Sequence, residues 1–135
     1  MKREIMSTER YEEVLDSLET DANAFEKLTK GEKQEIRRDG YAMTIAAATN
    51  INNLRFMSKA LKQDKTFMCG LIKEVNPLAM TYCYKTWFQN KNFVEFVRES
   101  AREDAKKYNS ARMEKLYNEL IDQQIQKSNP MEIEK

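Results

Sequence analysis

The sequence predicts an all-α protein: a compact bundle of six or seven helices, built partly from helix-hairpin repeats, with a long C-terminal helix. Three observations predict it. Three Gly and two Pro in 135 residues are too few for the many turns of a β protein. A hydrophobic content of 41% is enough for a core. Apolar residues recur at three- and four-residue steps along most of the chain. The length suits one domain, expected over residues 1–127, with a flexible tail over 128–135.

Ser7-Thr8 are good N-cap residues and Glu9 falls in the first turn, where the helix dipole favours it, so the first helix begins there. Tyr11, Val14, Leu15, Leu18, Ala22 and Phe25 form its apolar stripe. Glu9, Glu12, Glu13, Asp16 and Glu19 occupy the opposite side. Thr20-Asp21 compete with the helical backbone for hydrogen bonds and mark a break. Thr29-Lys30-Gly31-Glu32 spells a capping box that opens a short helix through Ile36, stopping near Asp39-Gly40. Tyr41 to Thr49 is apolar nearly all round, which puts that helix at the centre of the bundle.

Asn50 to Asn53 reads as a turn and cap, followed by a helix from about Asn53 to Gln63 with Leu54, Met57, Ala60 and Leu61 inward. Asp64 caps the next, which Asn76-Pro77 ends. Pro77 suits the first turn of a helix over Leu78–Phe88, again apolar almost all round and expected as a second central helix. From Phe93 to Ile125 the pattern runs without Gly or Pro. A continuous helix of roughly 33 residues would extend about 50 Å. Either Asn109-Ser110 divides it into a hairpin, or its end projects.

A weak internal repeat has an offset of 37 residues: Gly40-Tyr41-Ala42-Met43-Thr44 matches Pro77-Leu78-Ala79-Met80-Thr81, and Thr49, Asn53 and Phe56 match Thr86, Asn90 and Phe93. Around it, Gln63-Asp64-Lys65-Thr66-Phe67 and Asn76-Pro77-Leu78-Ala79-Met80 both stand where helices open. On these motifs residues 60–97, under a third of the chain, resemble a bacterial family of short helical repeats of unknown function. The resemblance implies a stacked-helix scaffold for interactions and no mechanism.

Histidine is absent, which removes the commonest general base, the Ser-His and Cys-His nucleophile systems and the commonest zinc ligand. The carboxylate groups Glu12-Glu13-Asp16 and Glu103-Asp104 sit on polar faces and read as solvated. Gly31, Gly40 and Gly70 are isolated, so there is no phosphate loop. Cys69 and Cys83 are 14 apart, without metal-ligand spacing, and read as small buried hydrophobes. No catalytic residue, cofactor or metal is expected. Met1-Lys2-Arg3-Glu4 has no apolar run after it, so no signal peptide and no membrane span are expected, and the location expected is cytoplasmic.

Net charge is +1, but it is unevenly spread. Residues 1–26 carry three basic and eight acidic groups, residues 27–97 twelve basic and six acidic. The expectation is a non-catalytic protein-binding module, in profile resembling the small inhibitors that phages and mobile elements encode against host defence enzymes. Its candidate partner surfaces are the acidic row Glu9, Glu12, Glu13, Asp16, Glu19 and the basic row Arg55, Lys59, Lys62, Lys65. The partner expected is a protein of unknown identity. The second reading is a nucleic-acid-binding protein that uses the basic row, with Lys27, Lys30, Lys33 and Arg37 as a further row and Tyr82, Tyr84 and Trp87 as stacking candidates. Met113, Leu116, Tyr117, Leu120 and Ile121 form a candidate seam for a homodimer.

Overall fold

The computed structural model describes residues 6–128, and among them every regular element is helical, with no strand. They fall into two compact units, the first ending at Phe67 and the second beginning at Met68. The expected tail lies outside the described residues except for Ser128, which ends the last helix.

In the first unit α1 (Thr8–Thr20) starts on Ser7, whose hydroxyl accepts from the Arg10 N–H, and it buries Val14 and Leu18. A 3-10 turn, Ala24–Lys27, buries Phe25. The capping box forms as the sequence spells it: in α2 (Lys30–Ile36) the Thr29 hydroxyl accepts from Glu32 N–H while the Glu32 carboxylate accepts from Thr29 N–H. Next comes α3 (Gly40–Thr49), with Ala42, Met43, Ala46 and Ala47 buried against α1 and the segment that follows. Its apolar composition does not make it buried all round, because Tyr41 is 67% exposed. Gly40 stands against the Phe67 ring at the start of α3: a Cβ there would lie 3.0 Å from it, so the ring would have to shift by a few tenths of an ångström.

The helix expected over Asn53–Gln63 does not form. Ile51–Phe56 is a 3-10 helix, Met57 and Ser58 are extended, and α4 is a single turn, Lys59–Lys62, capped by the Ser58 hydroxyl. Arg55 donates to the Asn52 carbonyl at 3.0 Å, a group that a continuous helix would use, and the buried Asn53 amide ties the segment back to α3 by donating to the Ala46 carbonyl at 2.9 Å. The boundary between the units falls within α5 (Lys65–Gly70), which Asp64 caps as expected.

In the second unit the chain widens into a π-type turn, Leu71–Val75, with Leu71 and Ile72 buried. The expected central helix over Leu78–Phe88 is instead two 3-10 segments, Pro77–Tyr82 and Lys85–Gln89, separated at Cys83, which is extended. Two side chains explain the break. Thr81 donates its hydroxyl to the Leu78 carbonyl, and the Thr81 carbonyl accepts from the Lys85 ammonium at 2.8 Å instead of from the Lys85 backbone N–H. The 37-residue repeat therefore aligns an α-helical segment, Gly40–Thr49, with a 3-10 one.

The long C-terminal pattern is a hairpin of α6 (Lys91–Lys107) and α7 (Ala111–Ser128). Asn109 turns the chain with φ of 49°. Asn tolerates this left-handed conformation better than any other residue except Gly. Across the hairpin Arg98 donates to Asn118 and Asp122 at 2.8 and 2.9 Å, and the Tyr117 hydroxyl donates to Asp104 at 2.7 Å. Phe88 and Phe93 meet edge-on, 5.1 Å between centroids, where Lys85–Gln89 packs on both helices. Asn109→Val is expected to lower stability by about 1–2 kcal/mol, while Asn109→Gly leaves it nearly unchanged. Thermal denaturation of both variants followed by circular dichroism checks this.

Candidate functional site

Because α1 buries Val14 and Leu18, a helix period places Glu9, Glu12, Glu13, Asp16 and Glu19 together on its outer side, and all five are exposed. Among the described residues only Glu13 has an ion-pair partner, Arg10 at 3.2 Å. Arg10 is drawn further towards α2: its guanidinium grips the Glu32 carboxylate through two hydrogen bonds, 2.7 and 3.1 Å. Those bonds, with the one from Thr29 N–H, hold the Glu32 carboxyl below its usual range. The cation nearest the acidic row is thus committed to Glu32 as well as Glu13.

One flank of α1 carries an aromatic. The Tyr11 hydroxyl donates to the Asp39 carboxylate at 2.6 Å, and Asp39 also caps α3 through the Ala42 N–H. Tyr41 is the most exposed large apolar side chain of the described residues. An exposed acidic stripe of this kind can recognise a basic surface.

The basic row does not assemble as expected. Arg55 sits on the 3-10 helix, stacked 4.3 Å over the Phe56 ring and paired with Glu26 at 3.2 Å. Lys59 and Lys62 belong to α4, beyond the extended Met57–Ser58, and Lys65 opens α5. The spacing that would align them needs a continuous helix, and the chain has three separate ones. In the second row Lys27 pairs with Asp21, and Arg37 donates to the Lys33 carbonyl with its guanidinium 6.0 Å from the Phe25 centroid.

The dimer seam is divided as well. Tyr117 and Ile121 are buried in the second unit, whereas Leu116 is 51% exposed and Met113 and Leu120 are half-buried. Trp87 lies between Tyr84 and Phe93, 6.0 and 5.6 Å from their centroids, and Tyr84 is 45% exposed. Cys83 is buried, which pushes its thiol up to about 12, and Cys69 is partly exposed. Among the described residues no group of three or more Cys, Asp or Glu is placed to hold a metal, and no helix is long and apolar enough to cross a membrane.

A surface not anticipated from the sequence lies at the α6–α7 turn. Lys106, Lys107, Tyr108, Arg112 and Lys115 are all exposed there. The signal was present in Asn109-Ser110, since a hairpin break there turns residues of one long helix into a tip. No family model, characterised protein or solved structure matches the chain.

Burial, and then the hydrogen bond to Asp39, push the Tyr11 phenol up to about 12. Burial and Asp104 push Tyr117 up in the same direction. A phenol with a folded pKa above its unfolded value stabilises fully below the unfolded value, and loses that contribution as pH rises through the folded one. The melting temperature should therefore fall between pH 10 and about 12, and Tyr11→Phe should flatten part of that fall. Unfolding curves over this range measure it.

Proposed function

We propose that the chain is a non-catalytic protein-binding module that uses the outer face of α1 to dock on a basic surface of a larger protein or nucleoprotein machine, which it inhibits or regulates. The observation that carries this reading is the exposed carboxylate stripe Glu9, Glu12, Glu13, Asp16 and Glu19, set opposite a buried apolar face that fixes its direction. A helical stripe of this kind presents charges at a spacing of about one turn, 5.4 Å, on a rigid rod. Its partner surface would be one evolved to hold regularly spaced anions, as nucleic-acid-binding surfaces are. The resemblance of residues 60–97 to short helical repeats, which implies a scaffold for interactions, supports the same role.

Charge complementarity of this type makes association fast and sensitive to salt. The test is affinity capture from the native host lysate with nuclease present, comparing the wild type with Glu12→Lys/Asp16→Lys and with Lys59→Glu/Lys62→Glu. A stoichiometric protein should be held by the wild type and by the lysine variant, and lost at least tenfold by the α1 variant. Equal capture by the α1 variant would overturn the assignment of the face.

A further inference from the structure

The tip of the α6–α7 hairpin gathers four cations and two exposed apolar side chains within eleven residues. Lys106 and Lys107 end α6, and Arg112 and Lys115 lie in the first turns of α7. All four are exposed, and none has an ion pair or side-chain hydrogen bond among the described residues. Elsewhere in the unit the arginines are tied down: Arg98 to Asn118 and Asp122, Arg102 to Glu99 and, at 3.9 Å, to Glu114. That last pair engages the one carboxylate between Lys106 and Leu116. Glu103, on the preceding turn of α6, is the nearest exposed acid along the chain.

Between the cations stands Tyr108, 64% exposed, at the C-cap of α6. Its backbone N–H is held by the Ala105 and Lys106 carbonyls, and the next residue is locked by the left-handed turn. The ring is therefore offered to solvent from a fixed backbone. We infer that this tip is a docking surface for single-stranded nucleic acid, with Lys106, Lys107, Arg112 and Lys115 on phosphates and Tyr108 stacked on an unpaired base.

Charge complementarity and ring geometry choose the occupant. Every unstacked base offers a π-face, and a lone exposed tyrosine among cations is the arrangement that uses one. Duplex bases are stacked on one another and leave Tyr108 without a partner. An anionic bilayer would take the cations, but stable surface binding also needs apolar area. Apart from Tyr108 and Leu116, the large apolar side chains of α6 and α7 are buried or half-buried. The surface is independent of the acidic face of α1. In a nucleoprotein partner the two would engage its protein and its nucleic acid respectively.

The test uses the purified full chain and fluorescein-labelled mixed-sequence single strands, DNA and RNA, read by anisotropy from about 50 to about 200 mM salt. Four phosphate contacts predict a log–log salt slope of about −3, at about 0.7 per phosphate for single strands. Tyr108→Ala should weaken binding about 5- to 100-fold and Tyr108→Phe should retain it. Lys106→Glu/Arg112→Glu should abolish binding, with circular dichroism confirming that each variant is folded. Glu12→Lys/Asp16→Lys should not weaken binding, so failure of the α1 reading and failure of this one are separable. The inference is overturned if no anisotropy change occurs at the lowest salt, if folded Tyr108→Ala binds as wild type, or if phosphatidylserine vesicles sediment the chain while the strands leave it free.

Discussion

The fold depends on side-chain capping. Ser7, Thr29, Asp39, Asn50, Ser58, Asp64, Asn76, Asn90 and Ser110 each accept the backbone N–H two or three residues ahead and so open a helical segment. Several of those segments have only four to seven residues. Helices so short do not persist on their own hydrogen bonds. A cap contributes about 1 kcal/mol, so the set together is comparable with the whole stability of an ordinary domain. The bonds also fix where each helix starts, and hence which side chains turn inward.

That constraint shapes the surface. On α1 the cap is Ser7, a neutral residue, so the acids of the helix are not consumed in starting it. Glu32 and Asp39, by contrast, are used twice each, in caps and in the links to Arg10 and Tyr11. Carboxylates close to the core thus hold α1 to α2 and α3, whereas in the outward stripe only Glu13 has an ion-pair partner among the described residues. An exposed charge without a partner in the folded chain is free to be selected for what it meets outside.

Much of this was legible in the sequence because caps are local. Ser7, the Thr29–Glu32 box, Asp64 and Asn76-Pro77 all lie where their chemistry places them, and the acidic side of α1 followed from its apolar stripe. The middle of the chain was less legible. Apolar residues three apart fit a 3-10 helix as well as an α-helix, and short runs do not separate the two periods. The deciding groups, the Lys85 ammonium on the Thr81 carbonyl and the Arg55 guanidinium on the Asn52 carbonyl, are choices among many polar neighbours that no spacing reveals. For this reason the basic row does not lie along one helix face, an alignment that needs a helix through Met57. The hairpin tip follows from the sequence only if Asn109-Ser110 divides the long pattern, one of the two alternatives that the spacing leaves open.

The methionines of the core carry a last consequence. Met43, Met57, Met68 and Met80 are all at most 4% exposed. Oxidation to the sulfoxide makes such a thioether polar and chiral, and a packed interior has no room for the change. Peroxide can reach these sulfurs only when the surrounding segment opens. Their rates of oxidation are therefore a chemical clock of local opening: Met43 and Met57 time the first unit, Met68 and Met80 the second. A chain held by many small caps can open piecewise, and these four atoms record which piece moves first.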